Sequence, residues 1–173
     1  RSGWALARAA VAGRLPVGLR ASLFELHSPR ADSERRLSFP IYGSGLTLGL
    51  ARNRIEEAGL LDRTELIPVV DGERRMIGPF DVEFIPVTHS VPHGFAIAFH
   101  TPQGVIMHSG DWKLDLTPVD DRHTDLGRIG AIEVEHGVRL LLADSTNAEE
   151  AGHTRSERSI GESLSRLFAV HKD

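Results

Sequence analysis

The chain has 173 residues, 40% of them apolar, and a net charge of −4, which suits one folded domain and argues against global disorder. It contains no cysteine, so disulfides and thiolate metal sites are excluded and a metal would need His, Asp or Glu ligands. No apolar run reaches the roughly 18 residues of a membrane span, and we expect a cytoplasmic protein with no membrane partner.

Residues 1–38 differ in composition from the rest. They are rich in Arg, Ala and Ser, and no acidic residue precedes Glu25. Three interpretations are open: a targeting peptide, the product of GC-rich DNA read in another frame, or an amphipathic helix over Trp4–Val11 followed by a loop. We therefore treat 1–38 as a divergent N-terminal segment of uncertain origin.

A turn at Tyr42-Gly43 and a helix after it are expected next. Ser44 is a candidate N-cap, and Gly59 is predicted to end the helix, since glycine commonly ends helices. The apolar side chains expected on one face of this helix are Leu46, Leu50 and Ile55.

Several short apolar runs predict strands. Residues 64–70 read as a strand followed by a hairpin signal at Asp71-Gly72. Runs at 82–87, 95–99 and 105–107 contain β-branched residues, and the last two are separated by a tight-turn sequence, Thr101–Gly104. The run Val138–Ala143 is almost wholly apolar, which predicts a strand covered on both faces.

Two helices complete the predicted elements. Asp125–His136 carries apolar residues at helical spacing, although two internal glycines weaken the pattern. Thr154–Val170 begins with a capping-box pattern, Thr154 and Glu157. Its apolar residues at helical spacing are Ile160, Leu164, Leu167 and Phe168. Strands followed by helices predict an α/β layered fold.

Three of the apolar runs end in polar residues. These endings are Thr88-His89-Ser90, His108-Ser109-Gly110-Asp111 and Asp144-Ser145-Thr146-Asn147. Ligands gather beyond strand ends, and one His with two Asp residues suits Zn²⁺ and also Mn²⁺. Each ending has a plainer explanation as well, because Asp144 can cap a turn, His89 can be a hydrogen-bonded loop histidine and Asp111 a turn residue.

The segment THSVPHGFAIAFHTPQGVIMHSGDWKLD, followed by DSTN, resembles the ribonuclease J group of the metallo-β-lactamase superfamily, the branch with an inserted β-CASP domain. The upstream FPIYGSGLTLGL resembles the same family, so the likeness runs from about Phe39 to the C-terminus. It implies a partial metallo-β-lactamase-like layered β-sheet with flanking helices over 39–153. It also implies that 154–173 is a terminal helix matching the start of a β-CASP region.

The resemblance assigns roles to residues at the strand ends. His89 and Asp111 match metal ligands, with Asp111 bridging two ions, and both are implied to be catalytic together with Asp144. Residues implied to lie against substrate are Ser145, Thr146 and Lys113. The implied cofactor is Zn²⁺, with Mn²⁺ or Mg²⁺ as alternatives, and the implied substrate is RNA or another phosphoester.

The sequence departs from the family at its principal motif. The His-x-His-x-Asp-His loop should precede Phe39, where His27 is the only histidine, so the chain resembles an interior fragment. His93, four residues after His89, is the candidate replacement ligand within the chain. A neighbouring copy in a homo-oligomer is the other source of ligands. Histidines expected to be exposed or in loops are His100, His123, His136, His153 and His171.

Three functional hypotheses follow. The first is a metal-dependent hydrolase of phosphoesters, of the phosphodiesterase or ribonuclease type, on a truncated ribonuclease J-like scaffold. The second is a non-catalytic binding or assembly module left from a nuclease. The third is a metallo-hydrolase of another bond class (lactam, lactone or ester), because one fold serves many reactions.

Overall fold

The computed structural model describes residues 39–171, so the N-terminal helix considered for Trp4–Val11 lies outside the described residues. In chain order the elements are β1 (Phe39–Gly43), α1 (Gly45–Glu57), β2 (Thr64–Pro68), β3 (Arg74–Ile77), β4 (Phe80–Val87), β5 (Gly94–Thr101), β6 (Gly104–His108), α2 (Leu126–His136), β7 (Val138–Leu142) and α3 (Arg158–Val170). A short 3₁₀ helix, Leu61–Arg63, precedes β2.

The strands form two sheets. β1 and β2 pair in parallel, and the other five form a sheet in the order β3-β4-β5-β6-β7. Both β4 and β6 pair antiparallel with β5, while β7 runs parallel to β6. Strands β4, β6 and β7 therefore point the same way, and their carboxyl ends meet at one edge of the sheet.

The β6–β7 pairing contains an irregularity. Val105 faces Val138, but the next residue of β6, Ile106, faces Leu140. Arg139 is thus one extra residue in β7, which is the pattern of a β-bulge. Its guanidinium Nε donates to the carbonyl of Gln103 at 2.9 Å, so the bulged residue is bonded to the neighbouring hairpin turn.

Both faces of the central strands are buried. One face carries a cluster of small and branched side chains that packs against α2: Ile85, Val87, Ala96, Ala98, Val105, Met107 and Ile132. The other face carries a second cluster: Val69, Ile77, Val82, Phe84 and Phe99. Because side chains alternate along a strand, β4 contributes residues to both clusters. The packing on both faces holds the sheet, and with it the strand ends, in place.

Helix α1 follows its predicted cap but buries a different face. The Ser44 hydroxyl accepts a hydrogen bond from the Thr47 N–H at 3.2 Å, as an N-cap does. The expected face was wrong for Leu46 and Leu50, which are exposed. The buried residues are Leu48, Ala51 and Ile55, whose three- and four-residue spacing keeps them together on a helix.

Two predicted turns differ in outcome. Tyr42-Gly43 is not a turn, because it ends β1 and pairs with Ile67 and Pro68. The Asp71-Gly72 turn exists, but its flanking strands are not a hairpin, since β2 pairs with β1 and β3 with β4. Local turn chemistry identified the reversal without identifying the strand partners. The tight turn between β5 and β6 is confirmed, with Thr101 opposite Gly104.

The C-terminal elements are more exposed than their sequences predicted. β7 is the edge strand, and Leu140 and Leu141 are 46% and 57% exposed, so the expected covering of both faces was wrong within the described residues. Helix α3 begins at Arg158, and its cap position, Glu157, makes no side-chain capping bond. The predicted start at Thr154 was therefore too early.

The mixed α/β class with flanking helices is confirmed. The division of the chain at residues 38 and 153 stays a prediction. Among residues 39–171, no helix has the length and apolar character needed to cross a membrane.

Candidate functional site

Three loops leave the same edge of the five-stranded sheet, and together we call them the three-loop edge. They are residues 88–93 after β4, residues 109–115 after β6 and residues 143–147 after β7. Each loop holds one of the polar endings noted in the sequence. The parallel direction of β4, β6 and β7 brings these endings to one side of the molecule.

Hydrogen bonds connect the three loops to one another. The Lys113 N–H donates to the Thr88 carbonyl at 2.8 Å, which ties the second loop to the first. The Asp144 N–H donates to the Ser109 hydroxyl at 2.9 Å, which ties the third loop to the second. Ser109 is itself buried. The three-loop edge is therefore a bonded unit rather than three independent segments.

Asp144 lies partly buried at the centre of these contacts. Its carboxylate accepts hydrogen bonds from the Thr146 hydroxyl at 2.6 Å and the Thr146 N–H at 3.1 Å. The hydroxyl bond is the largest cause lowering the pKa of Asp144, and the Trp112 amide and the His89 side chain lower it further against the opposing effect of burial. Asp144 is thus ionised at neutral pH, and it both caps its own turn and faces the other loops.

Asp111 is exposed at the tip of a turn that requires glycine before it. Gly110 has φ +64°, a left-handed conformation that side chains disfavour. A Cβ on Gly110 would lie 2.6 Å from the Phe95 carbonyl oxygen. The turn therefore packs closely against the start of β5, and this contact fixes the position of Asp111 in the loop.

His89 is half-buried, and its ring has a defined hydrogen-bonding role. Its Nδ1 accepts from the Val91 N–H at 3.3 Å, so in the neutral ring the proton resides on Nε2. A metal-bound histidine instead uses one bare nitrogen and donates the other N–H to a neighbour. The His89 geometry therefore does not match metal ligation through Nε2. His93, with φ +61°, is exposed in the same loop.

The candidate metal ligands of the described residues do not lie together as a complete set. No three or more His, Asp or Glu side chains within residues 39–171 are grouped so as to hold a metal. A catalytic zinc normally has about three protein ligands and a water. The residues assigned to metal by resemblance, His89, Asp111 and His93, therefore do not form a complete metal site among the described residues, and their role as ligands stays a prediction.

The three residues expected to lie against substrate occupy different surroundings. The Lys113 ammonium lies 2.5 Å from the Glu157 carboxylate and 3.7 Å from that of Asp115, so it is already engaged at the start of α3. Ser145 and Thr146 are exposed in the third loop. Their assignment to a substrate path also stays a prediction.

A buried charged group on the sheet was not expected from the sequence. The Glu83 carboxylate bonds His100 Nε2 at 2.9 Å and Arg128 at 2.6 Å. Both Glu83 and His100 have side chains less than a tenth exposed, so the expectation of an exposed or loop His100 was wrong. Its position was the available signal, because residue 100 shares a strand face with Ala96 and Ala98, both of which are buried.

Arg122 also escaped the sequence analysis. Its side chain is only 10% exposed, and its guanidinium bonds Asp71 and the carbonyls of Val87 and Gly94. An arginine in the polar stretch between β6 and α2 gave no local sign of burial. These bonds span 28 to 51 residues of chain, so no short-range pattern could have revealed them.

Comparison with known proteins gives a consistent result for the matched region. The chain is 48% identical over 130 residues to ribonuclease J from Synechocystis sp., covering 75% of this chain and 20% of that protein. It is 42% identical over 131 residues to ribonuclease J from Thermus thermophilus, covering 75% and 23% respectively. The chain thus spans about a fifth of the length of the curated relatives it matches. No protein-family model matches it.

Among solved structures, a protein of unknown function from Enterococcus faecalis superposes with a TM-score of 0.55 at 18% identity. The superposition covers 76% of this chain and 34% of that one. At this identity the likeness concerns the fold alone.

Proposed function

Because this chain is homologous to ribonuclease J over three quarters of its length, we propose that the three-loop edge serves metal-dependent hydrolysis of RNA phosphodiesters. The observation that carries the proposal is the pair of hydrogen bonds that join the three loops, from the Asp144 N–H to the Ser109 hydroxyl and from the Lys113 N–H to the Thr88 carbonyl. The motifs that resemble ribonuclease J therefore lie together at one edge, as a site for a single ligand requires.

In this proposal Asp111 and His89 each contribute to binding a divalent ion, with zinc first and manganese or magnesium as alternatives. The remaining ligands come from His93, from a second copy of the chain, or from residues outside 39–171. A bound divalent ion would supply the polarised water and charge stabilisation that phosphodiester hydrolysis needs. Ligation by His89 through Nε2 requires its ring to release the Val91 amide.

The proposed experiment measures cleavage of an end-labelled single-stranded RNA by the full chain, with added zinc or manganese and then with chelator. We expect chelator to abolish cleavage, and we expect His89→Ala and Asp111→Ala each to lower it at least about a hundredfold. Matched controls are His171→Ala at the end of α3 and Asp62→Ala in the 3₁₀ helix, both expected to cleave normally. Cleavage that survives chelator and both site variants would refute the proposal.

A second candidate is an RNA-binding or assembly module without catalysis. The observation favouring it is that residues 39–171 present no group of three metal-ligating side chains. It predicts RNA binding that neither chelator nor the His89 and Asp111 substitutions change. The same variants tested against lactam, lactone and ester substrates address the remaining class of hydrolase.

A further inference from the structure

The loop that carries His89 and His93 emerges from the last residue pair of the β4–β5 hairpin. That pair is Val87 and Gly94, which face each other in the register. Both carbonyls accept hydrogen bonds from a single side chain, Arg122, at 2.9 Å and 2.8 Å. One guanidinium therefore bridges the two points at which the loop begins and ends.

The guanidinium is held in place from the opposite side. Its Nε and Nη2 lie 2.9 Å and 2.8 Å from the two carboxylate oxygens of Asp71, in the two-pronged geometry for which arginine is suited. Its Cζ also lies 5.2 Å from the centre of the Phe95 ring. Asp71 belongs to the turn between β2 and β3, so Arg122 connects that turn to the histidine loop.

The backbone around Arg122 reinforces the same connection. The Arg122 carbonyl accepts from the Thr88 hydroxyl at 3.3 Å, and the Thr124 hydroxyl accepts from the Thr88 N–H at 2.9 Å. The residue before His89 is therefore fixed by the segment that contains Arg122. The side chain of Arg122 is nine-tenths buried, so its bonds to the Val87 and Gly94 carbonyls are partly shielded from competing water.

We propose that Arg122 is a positioning residue that holds the histidine loop, residues 88–93, in the conformation seen here, in which the Thr88 N–H bonds Thr124 and the Val91 N–H bonds the His89 ring. A lysine cannot replace it, because one ammonium cannot reach both carbonyls and both carboxylate oxygens in a planar fork. The importance of Arg122 for RNA cleavage rests on the proposed function. The conformation itself does not.

The test is amide hydrogen exchange of the full chain with Arg122→Met and Arg122→Lys. The Thr88 and Val91 amides are the reporters, because each donates to a partner set by the loop conformation. We expect both amides to exchange about tenfold faster or more in Arg122→Met, and nearly as fast in Arg122→Lys, as the loss of about 1.4 kcal/mol of local protection implies. Core amides of β5 and β6 should change much less.

Arg74→Met is the matched control. Arg74 makes an equally two-pronged bond to one carboxylate, Asp81, and within residues 39–171 its side chain donates to no loop carbonyl. Its replacement should leave the Thr88 and Val91 amides unchanged. The proposal is overturned by unchanged exchange of the loop in Arg122→Met, by full rescue in Arg122→Lys, or by an equal acceleration across the whole sheet.

Should Arg122→Met fail to fold, Asp71→Asn tests the same contact from the surface. Asp71 is 49% exposed, so its replacement should be tolerated, and we expect a smaller acceleration confined to the same loop. RNA cleavage is then measured on each folded variant. Altered exchange in a protein that never cleaves RNA would leave the role of Arg122 intact and refute only the proposed function.

Discussion

Apolar side chains are buried in strands β4 to β6 but exposed in the segment from β7 to α3. In the first region Ile85, Ala98 and Val105 are almost wholly buried. In the second, Leu141 and Phe168 are 57% and 70% exposed, although both are large apolar residues within a strand or a helix. The same kind of sequence thus leads to a packed core in one region and an uncovered surface in the other.

The difference lies in the number of covered faces. β4 and β5 have strands on both sides and buried clusters on both faces, so their contacts are supplied from within the chain. Helix α3 is held chiefly by polar bonds at its start, where Asp115 accepts from the Glu157 N–H at 3.1 Å and Arg158 donates to the Pro118 carbonyl at 3.0 Å. We infer that burial stabilises the first region, whereas hydrogen bonds to residues about 40 positions earlier in the chain stabilise the start of α3.

Of these variants, Glu83→Ala should lower the free energy of unfolding the most. It removes a buried carboxylate whose side chain is 4% exposed and leaves the Arg128 guanidinium with its longer contact to Glu135, at 3.3 Å. Breaking a buried ion pair in this way typically costs about 3–5 kcal/mol, and the lower end applies because Arg128 is 29% exposed. Urea unfolding of the variant gives the change in free energy of unfolding. Asp81→Ala, at an exposed pair, should cost well under half as much.

Gly110→Ala should come next. The substitution puts a side chain at φ +64° and brings its Cβ to 2.6 Å from the Phe95 oxygen, so the turn must shift at a cost of about 1–3 kcal/mol. We expect the shift to move Asp111 and to lower any metal-dependent RNA cleavage. Gly130→Ala in α2, where an added Cβ meets no atom within 4 Å, is the control. Equal free energies of unfolding for the two variants would contradict the close approach.

Acid should weaken the central region by a smaller amount. Burial alone raises the pKa of Glu83, but the hydrogen bonds from Arg128 and His100 outweigh it, and the pKa lies below its usual value of 4.5. A carboxyl with a lowered pKa stabilises the fold fully above that value, and the stabilisation is lost as the pH falls through the folded-state pKa. Urea unfolding from about pH 5 downward should show this loss, and Glu83→Gln should reduce its slope.

Leu164→Ala on α3 should have the smallest effect. Leu164 is 45% exposed, so its replacement is expected to change the free energy of unfolding by less than about 0.5 kcal/mol. The matched replacement in the central region, Ile85→Ala, should cost several times as much, because Ile85 is 0% exposed. Denaturant midpoints for the pair measure this contrast directly. A large loss of stability in Leu164→Ala would mean that α3 is covered in solution, for example by a second copy of the chain.

The central strands were predictable because their signals are local. Runs 82–87, 95–99 and 105–107 have the composition of strands, and the turn at Thr101–Gly104 leaves few alternatives for pairing the last two. The exposure of β7 was not predictable in this way. Its apolar run, Val138–Ala143, is typical of a strand covered on both faces, but whether other elements pack over those faces depends on the rest of the fold, which a run of six residues does not encode.

The candidate site was also predictable from the sequence only in part. That His89, Asp111 and Asp144 would each lie just beyond the end of a strand followed from the alternation of strands and loops. The roles of Arg122 and Glu83 did not, because each acts through partners at least 17 residues away along the chain. The tautomer of His89 is set by a single amide, that of Val91, and side-chain patterns do not report such backbone contacts.

The extra residue Arg139 determines which residue after β7 lies beside Ser109 at the three-loop edge. Strand side chains alternate with a period of two, so a one-residue change in length reverses the side of the sheet that every later residue occupies. Because the bulge accommodates Arg139, Leu142 pairs with His108. Asp144, two positions later, then lies beside Ser109. A chain shortened at that point would bring a hydroxyl residue to the same place, so the length of β7 selects which side chain is presented there.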